Sequence, residues 1–226
     1  MRTQKAAGIS RILYDLLILA LVIVMIPAMP GEAASRKSKA LAAYKKMLSR
    51  STVTVVPEII RYRRRTCTYA PANAKNVMFT TAYIDNDDIP ELILWDLVTD
   101  NWGIWTYRNS KVTHLYHKFN FGDYGYYSMI SGCYRKKGIF RTISIYPGGY
   151  DEDFCKIVNG KVKDVLSISN DGEKYLEDYY CMKDKANTKI SKGKFNKKLR
   201  SYVGSTKMSR LVMHSNTARN RSKNLK

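Results

Sequence analysis

Two dipeptides, Asn109-Ser110 and Asn159-Gly160, constrain this chain more than any other feature. Each joins two β-like runs, 104–107 with 112–116 and 154–158 with 162–166. Residues that tolerate positive φ at both positions of a two-residue loop specify tight antiparallel hairpins. The segments IWTYRNSKVT and FCKIVNGKVK, 104–113 and 154–163, therefore echo each other. Two copies cannot close a propeller, whereas a sheet of successive hairpins accounts for the echo. Residues 77–84 and 139–146 add further β-like runs. Leu92-Ile93-Leu94-Trp95 is continuously apolar, as a strand covered on both faces must be. Helical spacing appears only at the ends. Leu41, Tyr44 and Leu48 share a face within 37–49, and Ser191 is placed to cap a helix that groups Phe195, Leu199, Tyr202 and Val203. The expected fold is α+β: a mainly antiparallel sheet of about six to nine strands, with one N-terminal and one C-terminal helix packed on it. The 226 residues suffice for one ordinary domain, and 17 tyrosines argue against a disordered chain.

The first 33 residues read as an export signal. Arg2, Lys5 and Arg11 precede an apolar run over 16–29, and Gly31 and Ala33 are small residues two apart, which places the cut after Ala33. The run is short of the roughly 20 residues a permanent helical span needs. The expected organisation is then a basic helix and linker over 34–75, a β-rich domain over 76–182, a basic helical segment over 183–213, and a polar, frayed tail over 214–226. The protein is expected outside the cell or at its surface. Membrane contact is expected only through an uncleaved signal segment.

Charge divides along the same boundaries. Residues 35–65 carry +9, 66–182 carry −3, and 183–226 carry +13, within a formal total of +20. Basic ends around a near-neutral middle attract polyanions. For an exported chain these are anionic wall polymers or glycans rather than nucleic acid, and no protein partner is specified. The contact candidates are Lys37, Lys45, Lys46, Arg61, Arg63, Arg64 and Arg65 at one end. At the other they are Lys192, Lys194, Lys197, Lys198 and Arg200. The expected function is an exported, non-enzymatic binding or surface-associating protein. In an oxidising compartment Cys67, Cys133, Cys155 and Cys181 allow two disulfides in three connectivities, against the alternative of four buried thiols.

One segment carries candidate metal chemistry. In AYIDNDDIPEL, residues 82–92, four carboxylates fall within seven residues. Asp85, Asp87, the Ile89 carbonyl and Glu91 are the candidate ligands for a hard cation, Ca2+, which takes six to eight oxygens. The alternative is an acidic β-turn, since Asp and Asn initiate turns and Pro90 opposes a helix. The segment resembles the D-x-D-x-D-G-x-x-E-L calcium loops of secreted FG-GAP/VCBS-like domains. With the tyrosine-rich strand and Asn-Gly-Lys-Val hairpin that follow, it is more closely similar to a group of uncharacterised secreted proteins and lipoproteins of Gram-positive anaerobes. That resemblance implies a shared exported fold and no assigned activity. Against the calcium-loop pattern, Tyr83 stands at the first acid and Asp88 at the glycine.

Other constellations are thinner. His114 and His117, three apart in a strand, are expected on opposite faces and so unable to share a metal. Trp102, Trp105, Tyr107 and Tyr116 are expected to pack within a sheet, with 119–127 as an exposed aromatic loop. Asp151-Glu152-Asp153 reads as a loop. No nucleophile motif, zinc-protease motif or phosphate-binding glycine loop occurs. The enzyme alternative is a wall or glycan hydrolase using two of Asp85, Asp87, Asp96, Asp151 and Glu152.

Overall fold

The computed structural model describes residues 30–62, 65–119, 127–171, 178–183 and 187–226. The chain divides into two compact units, Met1–Arg36 and Lys37–Lys226. Most of the expected export segment lies outside the described residues. The first unit is described only where it opens helix α1 (Pro30–Leu48). That helix begins ahead of the expected cleavage position, but its buried residues, Ala40, Leu41, Tyr44 and Leu48, all follow it. Among the described residues no helix is long and apolar enough to cross a membrane.

The fold is α+β, built of successive antiparallel hairpins, in two principal sheets. After α1, β1 (Thr52–Val53) pairs with β4 (Ala72–Asn73), and β2 (Ile59–Tyr62) with β3 (Arg65–Thr68). A five-stranded sheet follows: β5 (Val77–Ala82), β6 (Glu91–Asp96), β7 (Trp102–Arg108) and β8 (Lys111–Lys118), with the late β16 (His214–Ser215) outside β5. The second sheet has seven strands. In spatial order they are β14 (Thr188–Lys189), β13 (Tyr179–Met182), β12 (Lys161–Asp171), β11 (Gly149–Val158), β10 (Ile139–Tyr146), β9 (Tyr127–Tyr134) and β15 (Ser209–Arg210). Helices α2 (Lys192–Val203) and α3 (Ala218–Asn224) complete the chain. Both dipeptides turn the chain as expected: Asn109, Ser110, Asn159 and Gly160 all have positive φ, and their flanks pair as Arg108 with Lys111 and Val158 with Lys161.

A single sheet was expected, and the chain builds two because β6 needs cover on both sides. Leu92 and Leu94 face α1, packing with Phe79, Tyr44 and Leu48. Ile93 faces the other way, into a core shared with Ile104, Ile130, Phe140 and Ile157 from both sheets. The far face of the seven-stranded sheet buries Ile139, Phe154 and Leu166 under Phe195 and Val203 of α2. The order is helix, sheet, sheet, helix, each layer fixed by period-2 or period-3.6 apolar patterning. Ser191 caps α2 as expected, accepting from the Lys194 amide.

The linker after α1 crosses the five-stranded sheet where Gly103 permits it. A Cβ there would lie 1.9 Å from the Val55 carbonyl oxygen, which also accepts from the Trp105 indole at 3.0 Å. Gly103→Ala must displace backbone, so a loss of about 1–3 kcal/mol is expected in urea unfolding, on the scale of overpacked cores.

Four expectations are corrected. The tail after residue 213 is folded: β16 pairs with β5, Asn216 donates to the Leu48 and Ala74 carbonyls, and Leu225 is buried beside α1. A polar composition concealed this because the anchors are one asparagine and one leucine. Asp151, Glu152 and Asp153 lie in β11, where Glu152 pairs with Arg141 and Asp153 with Lys118 and Lys183. Ladder pairing and ion pairs overrode the low β-propensity of acids. Phe119 is packed, stacked on Tyr69 at 4.6 Å; residues 120–126 lie outside the described residues.

The fourth correction is the two-disulfide framework. Cys133, Cys155 and Cys181 are buried, and none of the three is bridged to another. Cys133 and Cys155 flank Phe140 from β9 and β11, and Cys181 lies two strands beyond Cys155. Two strand spacings are about 9–10 Å, beyond the roughly 7 Å between Cα atoms that a disulfide spans. Two disulfides would require a pair among these three. The side chain of Cys67 lies outside the described residues. Burial raises the Cys133 thiol to about 11, and burial beside Asp164 raises that of Cys155 further, so both are protonated and unreactive.

Candidate functional site

The acidic segment connects β5 to β6 and is held from three sides, by α1, the β9–β10 turn and Arg108 of β7. Tyr44 of α1 donates to the Pro90 carbonyl at 3.0 Å. The turn between β9 and β10 donates two amides, Lys136 to the Tyr83 carbonyl and Gly138 to that of Ile84. Arg108 reaches Asp85 at 3.6 Å, its guanidinium lying over Gly160, where a side chain would collide with it. Lys136 pairs with Asp88.

Within the loop, asparagine-like turns run in series. Asp85 accepts from the Asp87 amide at 3.1 Å, and Asp87 from the Ile89 amide at 3.0 Å. Asp88 has φ +60°, so the position that carries glycine in calcium loops keeps its left-handed turn. Tyr83, at the place of the first acid, gathers cations instead: Lys37, Arg135 and Lys136 lie 5.2–5.9 Å from its ring. Ile89 is buried in the core below.

Glu91 is the centre of the cluster. It is fully buried and accepts from the Ile84 amide at 2.9 Å and the Thr106 hydroxyl at 3.4 Å. Burial raises its carboxyl to about 8, with Asp85 adding to the effect, so Glu91 is largely protonated at neutral pH. Asp85 is raised as well, chiefly by burial. One oxygen from each of Asp85, Asp87 and Glu91 lies within 4.8 Å of the others. The loop thus brings together the three carboxylates expected to meet and supplies half or fewer of the oxygens that calcium prefers. Of the hydrolase candidates, only Asp85 and Asp87 converge. Asp96 closes its own turn through Val98 and Thr99, and Asp151 and Glu152, adjacent in a strand, point to opposite faces.

Comparison with protein-family models, with curated proteins and with solved structures finds no match.

The basic residues lie elsewhere. Lys45 and Lys46 are exposed on α1, on the outer side of the five-stranded sheet, and α3 with Arg219, Arg221 and Lys223 follows the tail that docks there. Lys192, Lys194, Lys197 and Arg200 are exposed on α2, and Lys198 is half-buried, over the opposite outer face. Among the described residues none of the eight contact candidates on α1 and α2 forms an ion pair; the paired bases are Arg108, Lys118, Lys136, Arg141 and Lys183. Arg63 and Arg64 lie outside the described residues. Arg61 and Arg65 are placed only by backbone, in the β2–β3 hairpin.

Sequence reading missed part of the α2 face. Lys198 and Lys156 lie over the Tyr202 ring, Lys192 over Tyr180 and Lys189 over Tyr179, at 4.7–5.9 Å. Lys156 and Lys189 come from β11 and β14, so only the fold reveals them. Among the described residues one acid is present: Asp178 accepts from Tyr150, Asn170 and Tyr180, which hold it ionised below the usual carboxylate range, with the Lys192 charge a smaller contribution.

Proposed function

We propose that this is an exported, non-enzymatic protein that binds anionic wall polymers or acidic glycans through its basic outer helices. One observation carries the reading. The lysines over the tyrosines of α2 and β13 form a cationic face whose α2 members make no ion pair among the described residues, Asp178 acting on Lys192 only as a nearby charge, while Asp85, Glu152 and Asp153 are paired with the body's own bases. Lysine stems lying on aromatic rings lose less freedom on binding a polyanion than freely rotating ones. The likeness of residues 82–94 to secreted proteins agrees with export.

The test is a quadruple reversal, K192E/K194E/K197E/R200E, on an exposed helix face. Each basic residue near an anionic surface is worth about 1 kcal/mol. Affinity for heparin or for purified anionic wall polymer therefore falls by about a thousandfold. Unchanged binding, with the fold retained by circular dichroism, removes the reading.

Calcium at Asp85, Asp87 and Glu91 is a second, separable element, favoured by the convergence of three carboxylates within 4.8 Å. A cation there competes with Arg108 for Asp85. Millimolar Ca2+ is expected to raise the melting temperature of the wild type and not of Asp85→Asn; no rise in the wild type means that the segment is a turn held by the protein's own cations.

A further inference from the structure

His114 and His117 were expected on opposite faces of β8, and the structure places them on one. Trp105 pairs with His114 and Ile104 with Tyr116, which leaves Leu115 unpaired as a β-bulge. The extra residue shifts the alternation by one, so residues three apart behave as residues two apart. His117 pairs with Gly103, where the Val55 carbonyl fills the place of a side chain. The two imidazole rings are 5.1 Å apart and inclined by 29°. Trp105 packs edge-on against His114 at 5.1 Å, and Phe119 lies 4.5 Å from His117.

The ring nitrogens specify the chemistry. Nε2 of His114 and Nδ1 of His117 are buried with no hydrogen-bond partner among the described residues. Each neutral imidazole carries one N–H and one bare lone pair, so an unpartnered ring nitrogen can present its lone pair to a metal. Burial lowers both imidazoles, His114 to about 4. A buried, unpaired acceptor is otherwise destabilising.

We propose that His114 and His117 form a two-nitrogen site for a first-row transition-metal ion, with Cu2+ bound most tightly. Two imidazoles suit copper, nickel and zinc rather than calcium or magnesium, and the Irving–Williams order puts Cu2+ first. Remaining positions are left to water or a small anion. The site is separate from the acidic loop and does not depend on polymer binding.

The test uses the full chain and Cu2+ alone, at pH 7.5. One Cu2+ per chain is expected, and electron spin echo modulation is expected to show two imidazole ligands, a signature that the N-terminal amine cannot give. His114→Asn and His117→Asn are each expected to weaken binding by at least about tenfold, whereas His214→Asn and Glu91→Gln leave it unchanged. No imidazole modulation in the wild type overturns the proposal, as does a signal that persists in the double variant. The wild-type spectrum decides the matter even if a variant fails to fold.

Discussion

Replacing Glu91 with Gln is expected to abolish a large pH dependence of stability. The Glu91 carboxyl is raised from 4.5 to about 8 by burial and by Asp85. A carboxyl raised on folding favours the folded state while it is protonated, so its contribution is full below about pH 4.5 and is lost as pH rises through about 8. At about 1.4 kcal/mol per unit, the loss across that window is on the order of 4 kcal/mol. Glutamine keeps the Ile84 acceptor and can donate to Thr106, but cannot ionise. Thermal melts from pH 5 to pH 9 should therefore show wild-type stability falling with pH and a flatter profile for Glu91→Gln, which becomes the more stable protein at pH 9. Parallel profiles would mean that Glu91 ionises in the fold at no cost.

Phe140→Ala should cost about 3–5 kcal/mol, the range for truncating a fully buried aromatic. Phe140 is completely buried between the sheets, flanked by Cys133 and Cys155 and packed edge-on against Tyr116 at 5.1 Å. It couples the layer carrying α1 to the layer carrying α2. Ile145→Ala, in the same strand but nearly half exposed, serves as the control and should cost under 1 kcal/mol. Equal losses at the two positions would contradict the stacked-sheet core.

What was legible in the sequence was local. The paired turns, the doubly covered β6 and the cap of α2 follow from backbone preference and periodicity within a few residues. The three carboxylates of the acidic segment could be grouped because they lie on one loop. What was not legible depends on distant partners. The second sheet exists because Ile93 and Phe140 meet across layers. The β11 acids form a strand because Arg141 and Lys118 neutralise them. The histidine pair was misread because one unpaired residue, Leu115, inverts a face, and no composition rule announces a bulge. Lys156 and Lys189 joined the basic face only when β11 and β14 came beside α2.

Binding of the wild-type chain to a purified anionic wall polymer across a salt series tests the polymer-binding account most directly. The account predicts tight retention at low salt that weakens steeply toward moderate salt, as exposed charges are screened over a shrinking Debye length. Retention indifferent to salt, or no retention at the lowest salt, would contradict it.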